Sequence, residues 1–451
     1  MALENLTLTA LAAAFAELDR QFAYLPEFTA EAPGQDRMQA VLSETAARLG
    51  DNFPYFHPLY AGQMLKPPHP VARTAYALAT WVNPNNHALD GGRASSAMEK
   101  EAVAQLAAMF GWDRHLGHLS SGGTMANLEA LWVAGQLQPG RTIAASAQAH
   151  YTHERISGVL RLPFTKINET DHGRIDCCSL ERRLDQGDIG CVVATLGTTG
   201  VGAVDPLPEI LRLRERYGFR LHVDAAYGGY FLLANNLAPE ARAAYDVIGE
   251  ADSIVVDPHK HGLQPYGCGC ILFRDPAVGR LYKHESPYTY FSSHELHLGE
   301  ISLECSRPGA SAVALWATQR LLPPVPGGEF AQGLEASRRA ALAFAARLTA
   351  DARFAVPFEP ELDIVVWAPR AASASQASAL SQSIFDRAAG QQLHLALIHL
   401  PVSIFRTSWP DLVADQETIV CLRSVLMKPD HETWLNRIYT ILGEATDAAL
   451  S

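Results

Sequence analysis

Lys260 and the residues just before it are the first group in the sequence that could do covalent chemistry. An apolar run at 253–257 predicts a strand, and Pro258, His259 and Lys260 follow it directly. A lysine partly withdrawn from water is a good nucleophile, which suits covalent attachment of an aldehyde. A lone lysine after a strand is more often a solvated surface residue, so the segment indicates this chemistry only together with other groups.

Asp224 is a second candidate, because it ends the apolar run at 220–225. A carboxylate in that position costs free energy unless a cation faces it. A protonated pyridine nitrogen would be such a cation. The alternative is a helix N-cap or a surface acid, and the segment alone does not distinguish between them.

A third candidate is the turn of small residues at Gly122 and Gly123, ahead of a helix predicted to begin near Thr124. Glycine lets a backbone approach a ligand closely, and the free N–H groups of a helix N-terminus attract phosphate. Most such turns are merely structural. No Gly-Lys-Ser/Thr follows, so the turn is not a P-loop.

The order of the three segments along the chain favours one cofactor. A phosphate-type turn, an aspartate at a strand end and a His-Lys pair at another strand end give each part of pyridoxal phosphate a partner. Open α/β sheets bind ligands at the carboxyl ends of their strands, which is where these groups are predicted to lie.

Alternating helices and short apolar strands must position these groups. Strands are predicted at 142–146, 162–167, 191–196, 220–225, 253–257 and 269–273. Several are continuous apolar runs, typical of strands buried on both faces, and helical patterns such as 207–217 fall between them. The pattern predicts an α/β fold with a mostly parallel sheet.

The length of 451 residues predicts more than one domain, and the Pro- and Gly-rich segment 323–328 indicates a boundary. We expect an N-terminal helical arm at 1–75, a large cofactor-binding domain at 76–325 and a smaller C-terminal α/β domain at 326–451. The last should contain helices at 330–349 and from Glu432, with strands at 363–367 and 418–427.

Composition excludes several classes of protein. The net charge of −12 argues against nucleic acid as a partner, since a binder of phosphate backbones needs a basic surface. No apolar run is long enough for a transmembrane helix, and the acidic N-terminus does not resemble a secretory signal. Seven cysteines without a C-x-x-C pair indicate reduced thiols in the cytoplasm. His294, Glu295 and His297 lack the spacing of a zinc motif, so we expect no metal site.

Together, the three segments resemble those of the group II pyridoxal-phosphate amino-acid decarboxylases, which have fold type I. The resemblance extends from about His57 to Pro429. Asp257-Pro-His-Lys-His-Gly262, followed by Gly269-Cys-Ile-Leu-Phe-Arg274, is most similar to the archaeal tyrosine/aspartate branch of that family.

The resemblance implies roles for residues around the cofactor. Lys260 would form the Schiff base, Asp224 would face the pyridine nitrogen, and His150 would stack on the ring. The remaining cofactor-binding positions are Gly123 and Thr124 in the phosphate turn, His259 at the phosphate, Thr199 near the phenolic oxygen and Ala226 against the ring.

It also implies roles toward the substrate. Arg423 would receive the substrate carboxylate, and Tyr288, in a loop, would return a proton to Cα. Tyr290 competes for that role. His57 is a candidate substrate contact, because it stands in an aromatic segment that either lines the substrate pocket or packs the N-terminal arm.

Two positions depart from the family pattern. Asp257 stands where several relatives carry Asn, which puts a phosphate contact by that side chain in doubt. His261 replaces a residue that is often aromatic or Met, so its role is open.

The resemblance implies decarboxylation of an L-amino acid to its amine and CO2 by a homodimer with shared active sites. An aromatic substrate such as tyrosine is favoured, with aspartate, glutamate or diaminobutyrate as alternatives. A carbon–carbon lyase or an aldehyde synthase on the same scaffold is a further alternative, although Tyr288 favours simple decarboxylation. A cofactor-free scaffold protein is disfavoured by the presence of Asp224, His259 and Lys260.

Overall fold

The structure is a computed structural model that describes residues 5–28, 34–87, 89–283 and 301–451. The loop predicted to carry Tyr288, and the residues His294, Glu295 and His297, lie outside these ranges. No helix among the described residues has both the length and the apolar character needed to cross a bilayer.

A seven-stranded sheet carries the predicted functional segments. Its strands, in chain order, are β1 (Leu116–Ser120), β2 (Thr142–Ser146), β3 (Phe164–Ile167), β4 (Ile189–Thr195), β5 (Arg220–Asp224), β6 (Ser253–Val256) and β7 (Gly269–Phe273). They are arranged β1-β7-β6-β5-β4-β2-β3. Neighbours from β6 to β3 pair in parallel, whereas β7 runs antiparallel to both β6 and β1. The mostly parallel sheet predicted from the apolar runs is therefore confirmed.

Helices connect and flank these strands. They are α3 (Pro70–Val82), α4 (Leu89–Met109), α5 (Gly123–Leu137), α6 (Thr152–Val159), α7 (Cys177–Leu184), α8 (Leu207–Tyr217), α9 (Pro239–Asp246), α10 (Gly279–Tyr282) and α11 (Gly309–Leu321). Helix α3 begins at Pro70, whose fixed φ suits the first turn, and the His69 ring accepts a hydrogen bond from the Val71 N–H as the N-cap.

A second, four-stranded antiparallel sheet follows. It consists of β8 (Phe354–Ala355), β9 (Ile364–Pro369), β10 (Ala396–Pro401) and β11 (Thr418–Val425), in the order β10-β11-β9-β8. Helices α12 (Glu329–Ala350), α13 (Ala374–Gly390) and α14 (His431–Leu450) pack with it around Trp367 and Phe344, which are fully buried. This is the smaller α/β unit that the sequence predicted, and the boundaries proposed for it stay a prediction.

The N-terminal helices are α1 (Asn5–Gln21) and α2 (Gln35–Leu49). Helix α2 has no buried residue, and its apolar side chains Met38, Val41, Leu42 and Leu49 are each about half exposed or more. An apolar stripe of this kind on a helix normally packs against another surface.

Strand β1 was missed from the sequence because Gly117 and His118 interrupt its apolar pattern. The structure gives the reason that they are tolerated. The buried His118 ring places Nε2 2.9 Å from Oε2 of Glu129 on α5, so its polarity is satisfied inside the core. Strands β8 and β10 were also missed.

Candidate active site

A cavity of about 330 Å³ opens at the carboxyl ends of β4, β5 and β6. Eight predicted residues line it: Gly123, Thr124, His150, Thr199, Asp224, Ala226, His259 and Lys260. They come from five separate segments of the chain. The parallel sheet brings them together because its strands end at one edge.

Lys260 lies at the wall of this cavity, beside Asp257. Its Nζ is 3.0 Å from Oδ2 of Asp257, and its side chain is 21% exposed, so the amine is accessible from the cavity. The Asp257 side chain is buried, and its Oδ1 has no hydrogen-bond partner among the described residues. The ammonium group of Lys260 therefore offsets part of the cost of burying this carboxylate.

Asp224 ends β5 and is held by three hydrogen bonds. Oδ1 accepts from the Ala226 N–H at 3.1 Å, while Oδ2 accepts from His153 Nε2 at 2.8 Å and from Asn127 Nδ2 at 3.3 Å. Burial by itself would raise the pKa of Asp224. The hydrogen bond and charge of His153, with the charge of Lys260, outweigh burial and lower it below its ordinary value. The carboxylate is thus ionised, oriented and directed at the cavity.

A chain of polar groups continues behind Asn127. Nε2 of the His222 ring is 2.8 Å from Asn127 Oδ1, and Nδ1 of the same ring is 2.9 Å from Ser253 Oγ. Burial lowers the pKa of His222 to about 3, so this ring is neutral. A neutral ring with Nε2–H donates to the Asn127 carbonyl, which directs the Asn127 amide toward Asp224.

The turn before α5 approaches the loop after β6 closely. A Cβ at Gly123 would lie 2.7 Å from Asp257 Oδ2, and Gly122, with φ 154°, faces His259. The His259 ring is held by Nδ1, 2.8 Å from the Cys268 carbonyl oxygen. The free N–H groups of the first turn of α5 and this ring therefore border the same part of the cavity.

His150 lies at the start of the loop into α6. Its Nδ1 is 2.7 Å from Thr152 Oγ1, which fixes the ring. Burial lowers the pKa of His150, opposed in part by the charge of Asp224. The ring is therefore neutral at pH 7 and suited to a contact with a flat aromatic surface.

Arg423, on β11, is hydrogen-bonded to two loops, of which the one with Thr199 borders the cavity. Its Nε donates to the Gly200 carbonyl at 2.9 Å and Nη2 donates to the Thr199 carbonyl at 2.7 Å, while Nη1 is 3.2 Å from Gln63 Oε1. Burial lowers the pKa of Arg423. The guanidinium is not among the groups that line the cavity and reaches it through Thr199, so its contact with substrate stays a prediction.

His57 is not brought to this cavity. Its ring packs edge-on against Trp434 at 4.8 Å, and its Nδ1 accepts a hydrogen bond from the Leu59 N–H. The His57 ring therefore packs against α14 and holds the N-terminal segment there. A substrate contact by His57 stays a prediction. Tyr288 and Tyr290 lie outside the described residues.

His153 and Asn127 are the site residues that sequence reasoning missed. His153 stands three positions after His150, and Asn127 stands three positions after Thr124. Thr124 and Asn127 both lie on α5, where a spacing of three places two side chains on the same face, and this was the available signal for Asn127. His150 precedes α6, so helical spacing gave no such signal for His153. Thr195 and Tyr266 also line the cavity and were not predicted.

Residues 132–369 match the sequence model of the pyridoxal-dependent decarboxylase conserved domain. A probable L-tyrosine/L-aspartate decarboxylase of Methanothrix thermoacetophila is 32% identical over 55% of this chain and 63% of the relative. An L-tyrosine decarboxylase of Enterococcus faecium is 30% identical over 64% of each chain. The match thus spans less than two thirds of these two relatives.

Solved structures show the same fold. The chain is similar to the structure of Oryza sativa TDC with PLP and tryptamine, with a TM-score of 0.78 over 99% of each chain and 18% identity. It is also similar to mouse CSAD in its apo form, with a TM-score of 0.76 and 20% identity over 94% of this chain and 91% of that one.

A third relative by sequence is an L-aspartate decarboxylase of Thermococcus kodakarensis, which is 30% identical over 62% of this chain and 72% of the relative.

Proposed function

Because the chain belongs to the pyridoxal-dependent decarboxylase family, we propose that it removes the α-carboxylate of an L-amino acid as CO2, with pyridoxal 5′-phosphate as its cofactor. One observation carries the proposal. A single cavity collects an accessible lysine amine, an oriented and ionised carboxylate, a neutral histidine ring and a glycine turn at a helix N-terminus.

The chemistry of these groups fits the cofactor part by part. Lys260 would hold the aldehyde carbon, Asp224 would hold the proton of the ring nitrogen, and His150 and Ala226 would contact the two faces of the ring. Gly123, Thr124 and His259 would hold the phosphate, in a cradle that a Cβ at Gly123 would fill. Two buried oxygens at this cavity, Thr195 Oγ1 and Asp257 Oδ1, lack hydrogen-bond partners among the described residues. When bound, the cofactor supplies an electron sink for the bond that breaks at Cα.

The residues of the chain must then do three things. The Asp224 carboxylate would hold a proton on the ring nitrogen of the cofactor, because His153 and Asn127 keep this carboxylate ionised and in place. The Lys260 amine would hold the cofactor and would give up that place to the amine of the substrate. Arg423, directed by the Thr199 and Gly200 carbonyls, would orient the substrate carboxylate.

A proton must also return to Cα after CO2 leaves. We assign this step to Tyr288, with Tyr290 as the competing residue. A tyrosine hydroxyl keeps its proton at neutral pH and can still donate it to a carbanion.

For the substrate we favour an aromatic amino acid such as tyrosine. Among the described residues that line the cavity, Lys260 is the sole lysine or arginine, so a side-chain carboxylate of aspartate or glutamate would lack a cation there. The neutral ring of His150 and the ring of Tyr266 line the same cavity. Relatives are named for tyrosine and for aspartate decarboxylation, which keeps aspartate as the second candidate.

Product analysis with a panel of L-amino acids tests the proposal. The purified protein, with pyridoxal 5′-phosphate, is incubated with tyrosine, phenylalanine, aspartate, glutamate and diaminobutyrate, and CO2 and amine are measured. We expect tyramine with equal CO2 from tyrosine, and no product from the Lys260→Ala variant. Aldehyde as the sole product would indicate an aldehyde synthase. No visible cofactor band and no product from any substrate would refute the proposal.

We also propose that the protein is a cytoplasmic homodimer with active sites at the interface. The exposed apolar stripe of α2, with Val41 and Leu42, is suited to packing against a second copy. The seven cysteines are all free thiols, consistent with a reducing compartment. Full activity of a monomer at nanomolar concentration would contradict the dimer.

A further inference from the structure

A second cavity, of about 290 Å³, lies between the segment before α3, the start of α12 and the turn before α14. It shares no lining residue with the cavity at Lys260. Two lysines line it, Lys66 and Lys428, which are 362 positions apart in the sequence.

Among the residues that the structure describes, neither lysine has an acidic partner. Lys428 is 3% exposed, and its Nζ donates to the Tyr60 carbonyl at 2.6 Å and lies 5.3 Å from the centre of the Tyr60 ring. The half-buried Lys66 places Nζ 3.4 Å from the Met427 carbonyl. No carboxylate of the described residues lies within 4.0 Å of either ammonium. Two like charges are therefore withdrawn from water with only neutral acceptors, which is costly.

The cost of burying these two ammonium groups lowers the pKa of both lysines. Burial lowers the pKa of Lys428 to about 7, and the nearby charge of Lys66 adds to the effect. Burial lowers the pKa of Lys66 to about 8, opposed in part by Asp363. An anion between the two ammonium groups would reverse both shifts.

The acids near the cavity do not fill this role. Asp363 accepts a hydrogen bond from Tyr227 and lies 3.3 Å from His261 Nε2. Glu329 and Asp430 line the cavity from exposed positions at its mouth.

The histidines near the cavity carry no charge that could act on the two lysines, because burial lowers the pKa of each histidine. His261 and His69 line the cavity, and the His431 ring accepts from the Lys428 N–H. All three are neutral at pH 7 and above.

The rest of the lining is apolar. Leu263, Leu322, Phe330 and Leu334 form one wall, and Phe56 stands at the opening with 43% of its surface exposed. Ligand sites of proteins combine such walls with a few polar groups that fix orientation, and this volume is at the small end of their range.

We propose that this cavity is a binding site for a small organic carboxylate with an apolar body, whose carboxylate lies between Lys66 and Lys428. The apolar body lies against the leucine and phenylalanine wall. The site is separate from the catalytic cavity and does not rest on the function proposed above. His261, which lines this second cavity, follows Lys260 directly in the chain, and Lys260 lines the catalytic cavity. A ligand in the second cavity would therefore lie next to the backbone that carries Lys260.

Binding should take up protons. The anion is held by two ammonium groups, and each amine that is neutral in the free protein must gain a proton when the anion binds. Affinity should therefore be highest near pH 6 and fall as the pH rises through 7 to 9. The histidines are already neutral at pH 7, so they do not contribute to the fall between pH 7 and 9.

Isothermal titration of the pyridoxal-phosphate-loaded protein with phenylacetate tests the site, with 2-phenylethanol and inorganic phosphate as comparison probes. We expect phenylacetate to bind best, because 2-phenylethanol lacks the charge and phosphate lacks the apolar body. Titrations near pH 8 in buffers of different ionisation enthalpy should show net proton uptake. Lys428→Met should weaken binding at least about tenfold, since a charge-assisted hydrogen bond contributes about that much. Methionine keeps the length of the buried stem.

Lys100→Met is the matched control, because Lys100 is exposed on α4. It should bind phenylacetate as the unchanged protein does, and thermal unfolding checks that both variants are folded. If Lys428→Met does not fold, Lys66→Met is titrated in its place. No binding of phenylacetate, or equal binding by the Lys428 and Lys100 variants, would overturn the proposal, as would equal affinity for phosphate.

Discussion

His153 Nε2 lies 2.8 Å from Oδ2 of Asp224, and both side chains are buried. The Nδ1 of His153 has no hydrogen-bond partner among the described residues, so the contact with Asp224 is its one polar anchor there. His153 is therefore a positioning residue: it acts on the cofactor site through the carboxylate that it holds.

Replacing His153 tests this role. His153→Phe should weaken binding of pyridoxal phosphate about tenfold or more, because a hydrogen bond to a charged group is lost. The pH dependence of the absorption band of the bound cofactor should shift as well, which a purely structural defect would not cause. His153→Gln, whose amide can donate to Asp224, should restore part of the affinity. Equal affinity and an unchanged spectrum in the Phe variant would remove His153 from the site.

Asp224→Ala should leave a folded protein whose kcat falls by at least about a hundredfold, since a preorganised charge at the reacting group is lost. Asp224→Glu keeps the charge and should be milder. The pKa of Asp224 is lowered in the folded protein, so its charge is present at neutral pH and is lost only as the pH falls well into the acid range. Near-normal kcat in the Ala variant would contradict the role.

Lys260 should carry the cofactor. Borohydride treatment of the loaded protein, followed by peptide mapping, should place the pyridoxyl group on Lys260, whose amine is accessible from the cavity. Lys260→Ala should give no label in that peptide. A label on another lysine in the unchanged protein would refute the assignment.

Gly123→Ala should weaken cofactor binding, because the new Cβ would lie 2.7 Å from Asp257 Oδ2 and force the turn or the carboxylate to move. Spectroscopic titration with pyridoxal phosphate should show an affinity at least about tenfold lower, since overpacking a tight site costs about 1–3 kcal/mol. Gly158→Ala is the control, because a Cβ there meets nothing within 4 Å. Equal affinities in the two variants would argue against a close turn at the phosphate.

Tyr288→Phe should still release CO2 but should yield aldehyde, ammonia and hydrogen peroxide with consumption of oxygen, because the residue proposed to return a proton to Cα is lost. Tyr290→Phe should be much milder. Carbon dioxide, amine and peroxide are measured side by side. If both variants lose little activity and yield only amine, the two tyrosines act only in packing.

The sequence by itself determined what local patterns control. The apolar runs at 142–146 and 269–273 coincide with β2 and β7, and Leu207–Tyr217 forms the helix that its spacing predicted. Strand ends, turns and helix starts depend on near neighbours in the chain. Local patterns indicated Gly123, Asp224 and Lys260, and the family resemblance implied the other five cofactor-binding residues. All eight line one cavity.

The tertiary structure decided what distant residues do to each other. His153 meets Asp224 across 71 positions, and His118 is tolerated in β1 because Glu129 faces it from α5. Lys66 and Lys428 come to one cavity only because the segment before α3 packs against the turn before α14. Such contacts depend on the order of strands and the packing of layers, which no local pattern encodes. The packing of layers also buries Lys66 and Lys428, and this burial lowers the pKa of both lysines.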